Sequence, residues 1–339
     1  MRPSVTRFFI ILLLLALAGL GLSLAIGSVS ISPAQLWETL TGSPYSTNNT
    51  DDAGNTASQI IWQLRFPRAL TAFLSGCLLG LSGVLMQVLL RNPLADPYIL
   101  GVSGGAATAA LLAILAGLSG FWIQGSAFSG AMLSMLLVYL LSRNGGSSNP
   151  FHLLLTGVVL ASGWGALINL LLILSDKNTT HAMLFWLMGD LSTPQVSFEI
   201  AFGILLLAVI TSWFLARDFN LLIYGEHKAR TLGSKVRMIR RAALVLAAIC
   251  TAVAVTMAGS IGFVGLIIPH LMRLIIGSDH RLLIPAATLA GGILVMFADL
   301  GARTVLAPQQ LPVGVITAFI GVPLFLYLLK SRRPSQLTG

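Results

Sequence analysis

Apolar runs of about 20 residues recur along nearly the whole chain, and they leave it few places to fold except inside a lipid bilayer. A helix of about 20 apolar residues crosses the hydrocarbon core. It also satisfies its own backbone hydrogen bonds, which lipid cannot do for it. Ten such segments can be read, at about 8–28, 66–90, 97–118, 121–142, 152–175, 196–216, 238–259, 262–277, 282–301 and 312–330. They fill most of the 339 residues, and only 9% of the chain is charged against 56% hydrophobic. No separate soluble domain fits, so residues 1–339 read as one transmembrane domain. The expected fold class is an all-α polytopic membrane protein with ten transmembrane helices.

The net charge of +9 could point to nucleic acid. The basic residues, however, sit at the ends of the apolar runs, which is the signature of topology. Threading the ten segments from a cytoplasmic N-terminus puts sixteen Lys and Arg inside and four (Arg65, Arg68, Lys177 and Arg303) outside. That asymmetry favours this threading over its inverse and puts both termini in the cytoplasm. The first segment imitates a secretory signal, but its apolar core is longer than usual and no Ala-x-Ala site follows, so an uncleaved helix is expected. The longest outside loop, 29–65, opens with Ser32-Pro33-Ala34-Gln35, a capping box with proline at the first helical position. Ser43 to Ser58 reads as a mobile excursion. Pro269, inside the short eighth segment, marks a kink or a discontinuous helix.

Charge inside the spans is nearly absent. Asp299 is the clearest intramembrane carboxylate and lies four residues before Arg303, within pairing reach on one helix face; Glu199 lies near a segment end. Ion-coupled carriers usually need carboxylates, His or Lys along the path, and this is thin support for one. His-Glu-x-x-His, a catalytic aspartate pair and Gly-x-Ser-x-Gly are all missing, and the five His are scattered. Cys77 and Cys250 lie far apart within apolar runs and read as core residues; no cofactor or metal is expected. There is no Gly-x-x-x-x-Gly-Lys-Ser/Thr either. If ATP drives this protein, another polypeptide hydrolyses it. The 34 glycines, including Gly76, Gly80 and Gly83, point to close helix packing in lipid.

One stretch stands apart. Residues 217–241 carry seven of the 20 Lys and Arg on the expected cytoplasmic side. Within it Gly225 and Gly233 bracket Glu226-His227-Lys228-Ala229-Arg230-Thr231-Leu232, about two helical turns. Glycine suits a left-handed cap, and Ser234 can cap the helix that follows. A short helix on the membrane surface, with Ala229 offering close approach, would make a lever for another protein. A basic loop that only enforces topology or touches anionic lipid is the alternative.

Arg91-Asn-Pro-Leu-Ala-Asp-Pro97-Tyr-Ile-Leu-Gly101-Val-Ser-Gly-Gly105 resembles the signature of the FecCD-type permeases, membrane subunits of binding-protein-dependent ABC importers for ferric siderophores, haem and vitamin B12. Leu64-Arg65-Phe-Pro-Arg68, Gly225 to Gly233, and Gly262-Phe-Val-Gly-Leu-Ile-Ile-Pro-His270 with Arg273 match as well, in the expected order from about residue 60 to 330. The resemblance implies a type II ABC importer permease in the inner membrane, without enzymatic activity of its own. It implies that Gly225, Glu226, His227, Ala229, Arg230, Leu232 and Gly233 form the coupling helix seated in a separate ATP-binding subunit. It implies that Arg65, Arg68 and Arg303 receive carboxylates of a periplasmic binding protein; snorkelling to lipid phosphate, or an internal Asp299–Arg303 pair, is the alternative. Asn92 and Leu94, in a turn stopped by Pro93 and Pro97, would line the cytoplasmic gate, unless the turn is only a connector. A second gate element matches poorly at Ser148-Asn149-Pro150-Phe151-His152, so that role is not carried over. The implied assembly is a homodimer with two ATP-binding chains, or a heterodimer with a paralogous permease. The cargo class is an iron chelate, haem or a corrinoid, with ferric siderophore the broadest branch. An ion-coupled secondary transporter is the rival of a different class.

Overall fold

A computed structural model of the chain describes residues 4–27, 31–41, 52–144, 147–148, 150–191 and 198–331. The first helix, α1 (Val5–Ala25), is followed by α2 (Pro33–Thr41), where the capping box predicted a short outside helix. Next, α3 (Asp52–Gln59) runs through a π-helical turn, Ile60–Arg65, into α4 (Phe66–Leu89). Residues 52–58, read as part of a mobile excursion, are therefore helical; 42–51 lie outside the described residues. A 3-10 turn, Pro97–Leu100, leads into α5 (Val102–Leu115) and α6 (Gly120–Leu141). A two-residue antiparallel ladder pairs Arg143 with Ser148 and Asn144 with Ser147. There follow α7 (Pro150–Leu174), α8 (Lys177–Met188), α9 (Phe198–Phe214), α10 (Ala216–Ile223), α11 (Glu226–Thr231) and α12 (Val236–Ala258). The chain closes with α13 (Val264–Ile276), α14 (His280–Thr304) and α15 (Val313–Ser331).

Every predicted segment coincides with a helix, but ten full crossings is not what the lengths show. Among the described residues six helices are long and apolar enough to cross alone, and α9 with α10, bent by 58°, would make a seventh. The apolar helices α5, α13 and α15 are shorter. Thirteen residues of α13 rise only about 20 Å, less than the roughly 30 Å of hydrocarbon.

The core forms around α4, which packs against α1, α9, α12, α13 and α14. It is buried almost throughout from Ala69 to Leu89. Small residues make this approach close: a Cβ on Gly76 or Gly80 would strike the carbonyls of Gly291 or Ala287 on α14, and one on Gly83 the carbonyl of Gly265 on α13. In lipid such packing replaces the hydrophobic effect between helices. The peripheral helices expose Leu17, Ile173, Phe214 and Phe319, the apolar surface a bilayer covers.

The break expected at Pro269 lies elsewhere. Helix α13 runs through Pro269, and the chain instead turns at Gly259–Phe263, where Gly259 and Phe263 take φ of 66° and 69°. Pro269 has no N–H for the carbonyl of Gly265, four residues earlier. That carbonyl faces Gly83, where no side chain stands in the way, so α13 continues through Pro269 despite the loss.

Candidate functional site

The Gly225–Gly233 stretch forms the expected short helix, α11. Gly225 and Gly233 take φ of 103° and 83°. A Cβ would meet nothing within 4 Å at either, so glycine is needed there for its backbone alone. His227, Lys228, Arg230, Thr231 and Leu232 are exposed, and Tyr224 just ahead of them is 70% exposed. Ala229 differs from expectation: it is fully buried against its own chain, because the inner face of so short a helix must cover the ends of α10 and α12 beneath it. Nor does Ser234 cap α12; its hydroxyl donates to Asp218 Oδ1 at 2.8 Å and ties the loop to α10.

Glu226 is the centre of this surface. Its carboxylate accepts from Arg240 Nη1 at 2.7 Å, Arg91 Nη2 at 3.0 Å and Arg230 Nη2 at 3.3 Å. Arg91 opens the turn that holds the candidate gate residues. Asn92 Oδ1 accepts from Leu94 N–H at 2.9 Å, an Asx turn that closes the loop on itself. Asn92 and Leu94 are both half-buried. Asp96 Oδ1 accepts from Tyr98 N–H at 2.7 Å. Burial pushes the Asp96 carboxyl up to about 6, with the Tyr98 N–H pulling the other way.

Beyond this turn several helices begin or end together. The Ile261 N–H donates to the Tyr98 hydroxyl at 3.1 Å, and Ser103 and Ser260 share a hydrogen bond of 3.0 Å. Val313 N–H donates to the Gly189 carbonyl at 3.1 Å, and Gly314 leaves no room for a Cβ beside Met188 and Ser260. The C-terminal ends of α8 and α12 thus meet the first residues of α5, α13 and α15. Threading had put 260–261 on the outer side and the turn before Tyr98 on the inner side. The two touch across 163 positions of sequence. Discontinuous helices whose ends meet are a feature from which transport sites are built. The sequence signal for it was present in Gly189, Gly259 and Gly314 beside unusually short apolar runs.

On the other side the three candidate docking arginines turn inward. Arg65 is buried and its Nη1 donates to the carbonyls of Leu24 and Ala25 at 2.6 and 2.9 Å, satisfying the open end of α1. Asp299, fully buried, pairs with Arg68 Nε at 2.8 Å and Arg303 Nε at 3.0 Å. Arg68 Nη1 also donates to Gln310 Oε1 at 2.7 Å, and Arg303 Nη2 to the Ser23 carbonyl at 3.5 Å. The Asp299–Arg303 pair follows from their four-residue spacing. That Arg68 joins it, 231 positions away in sequence, has no local signal. Among the described residues no three His, Cys, Asp or Glu gather as metal ligands.

The sequence matches the FecCD transport family over residues 12–331. It is 40% identical over 284 residues to the cobalamin import system permease protein BtuC of Halobacterium salinarum, covering 83% of this chain and 76% of that one. It is 38% identical to the hemin transport system permease protein HmuU of Yersinia pestis (92% of this chain, 91% of that one). The Fe(3+) dicitrate transport system permease protein FecD of Escherichia coli is also 38% identical (86% and 91%). Among solved structures, an inward-facing metal-chelate type ABC transporter superposes with a TM-score of 0.81 at 32% identity, covering 97% of this chain and 100% of that one. Helical order, broken helices and this agreement over nearly the whole length lead to one assignment: the chain belongs to the FecCD transport family and is an ABC importer permease.

Proposed function

We propose that the chain forms, as a homodimer in the bacterial inner membrane, the translocation path of a binding-protein-dependent importer for an iron chelate, driven by two copies of a separate ATP-binding subunit. The observation that carries the reading is α11. Its inner face, through Glu226 and Ala229, is fastened to the rest of the chain, while His227, Lys228, Arg230 and Leu232 stay open to a partner. A helix so fastened transmits a push rather than yielding to it. Replacing Gly225–Gly233 by a flexible linker is expected to abolish co-purification of the co-encoded ATP-binding subunit while the chain still inserts; retention of that subunit would defeat the coupling role.

Docking of the periplasmic protein falls mainly on Arg68, the arginine of the buried triad with the most exposed side chain, at 11%. An incoming carboxylate would share Arg68 with Asp299, and Arg65 and Arg303 would add positive potential from below. The gate role stays with Asn92 and Leu94. The relatives named for cobalamin, hemin and ferric dicitrate carry bulky metal complexes, which suits a path of small residues with little charge. Ligand binding by the co-encoded periplasmic protein decides among ferric siderophore, haem and corrinoid. An ion-coupled carrier would need a carboxylate free to load and release its ion; Asp299 is held by two arginines. Uptake that stops with an uncoupler while ATP persists would favour that rival.

A further inference from the structure

Helix α4 ends on an unfavourable residue. Asn92 N–H bonds the carbonyl of Gln87 at 3.1 Å and Arg91 N–H that of Val88 at 3.2 Å. This is the Schellman stop, whose left-handed position is normally glycine. Here it is Arg91, at φ 48°. A long L side chain seldom takes that conformation. It persists where something else holds it, and such places cluster at switch regions. What holds Arg91 is Glu226: guanidinium Nη2 lies 3.0 Å from Oε1. Glycine, the better residue for the turn, has no arm to reach it.

The pair spans the two parts of the cytoplasmic face that must move together. Glu226 is the first residue of α11, and Arg240 ties the same carboxylate to α12 at 2.7 Å. On the other side Arg91 is bonded directly to Asn92, whose carbonyl accepts from Ala95 N–H at 3.1 Å and whose side chain accepts from Leu94. The backbone angles of Arg91 therefore set the direction in which the 92–95 loop leaves α4. Gln87 anchors the helix itself, its Nε2 donating to the Leu266 carbonyl of α13 at 3.1 Å. With α4 fixed and the loop closed on itself, Arg91 is the place left to turn. A residue held away from its favoured conformation is the kind of place at which such a turn can switch.

We propose that Arg91 and Glu226 form the joint that carries movement of the coupling helix to the 92–97 turn, with Arg91 a positioning residue that touches neither cargo nor nucleotide. This rests on the coupling role proposed above. In this joint Glu226 works inward on its own chain. The competing account is an ordinary surface ion pair, Arg91 being 39% exposed in its side chain, and such pairs usually contribute little.

Arg91→Gly separates the two, because it removes the link while installing the residue the turn favours. The full chain is co-purified with its ATP-binding subunit, with Leu94→Cys as a reporter for a water-soluble maleimide. Cys77 and Cys250 are buried, and a chain lacking the reporter gives their background. Labelling is timed with and without ATP and vanadate. With Arg91 present, nucleotide is expected to change the labelling rate. With Arg91→Gly the subunit should still co-purify and the thermal midpoint should not fall, but the nucleotide-dependent change should be lost; Arg91→Lys should restore part of it. An unchanged response in Arg91→Gly overturns the joint. So does loss of the ATP-binding subunit or a lowered midpoint, since the pair would then be a structural brace. Failure of the chain with Arg91 intact to hold any ATP-binding subunit would instead refute the coupling role, and the joint with it.

Discussion

Replacing Asp299 by asparagine keeps the shape of the side chain and removes its charge, leaving two guanidiniums facing each other. Asp299 is fully buried, and the Arg68 and Arg303 side chains are only 11% and 7% exposed. In wild type the cost of desolvating three charges is offset by two contacts of 2.8 and 3.0 Å. The variant keeps the desolvation cost of both arginines and loses the attraction. Removing one partner of a buried pair costs about 3–5 kcal/mol. With an unfolding entropy of about 2.1 cal/mol/K per residue over 339 residues, the melting midpoint should fall by about 4–7 °C. Cys77 and Cys250 are buried, so a thiol-reactive fluorophore in detergent reports the transition. Arg303→Gln added to Asp299→Asn should recover part of the loss, because it removes one of the two uncompensated charges. A shift for Asp299→Asn below about 2 °C, equivalent to about 1.4 kcal/mol on the same scale, would refute the reasoning. So would strictly additive effects in the double variant.

Three further outcomes are expected. Gly83→Val drives methyl groups into the Gly265 backbone, against which Pro97 also packs closely; overpacking costs of about 1–3 kcal/mol or more should appear as a lower yield of monodisperse protein, and wild-type yield would contradict the close α4–α13 contact. Gly233→Ala, at φ 83° with open space around it, should cost about 1–2 kcal/mol from backbone strain alone. Gly163→Ala, with equal space and no positive φ, should be neutral or gain up to about 1 kcal/mol; equal effects at the two sites would remove the conformational argument. Asp96 has its carboxyl raised to about 6 from 3.8, so the folded chain keeps a proton that the unfolded chain gives up between those values. Its contribution is present below pH 3.8 and is lost as pH rises through about 6. Relative to wild type, Asp96→Asn should make the melting midpoint depend less negatively on pH across that window; an unaltered dependence would mean that Asp96 does not titrate there.

The membrane class, the ten helical segments and the existence of α11 were all legible in the chain. Hydropathy acts over one helix length, and the left-handed need at Gly225 and Gly233 is local to each residue. The family resemblance was carried by local motifs too, and the match over residues 12–331 agrees with it. Local signals also misled in identifiable ways. A proline reads as a break because the chain around it is unseen; Pro269 stays inside α13 because Gly83 lies opposite the carbonyl it frees. A polar stretch reads as a mobile loop, yet 52–58 are helical and lead through a π-helical turn into α4.

What the tertiary structure alone decided is which charges meet and which helix ends meet. Arg68 and Asp299 are 231 positions apart, and Arg91 and Glu226 are 135 apart; no spacing rule connects either pair. Arginines at segment ends look free for a partner until packing shows Arg65 closing α1 and Asp299 holding the other two. Ala229 looked like a contact for another protein until the face it occupies was seen to be inside. The meeting of the ends of α5, α8, α12 and α15 likewise depends on contacts between residues far apart in sequence. Apolarity is a property of each residue and survives in the sequence. Pairing depends on distances that exist only after α4 has brought the other helices around it.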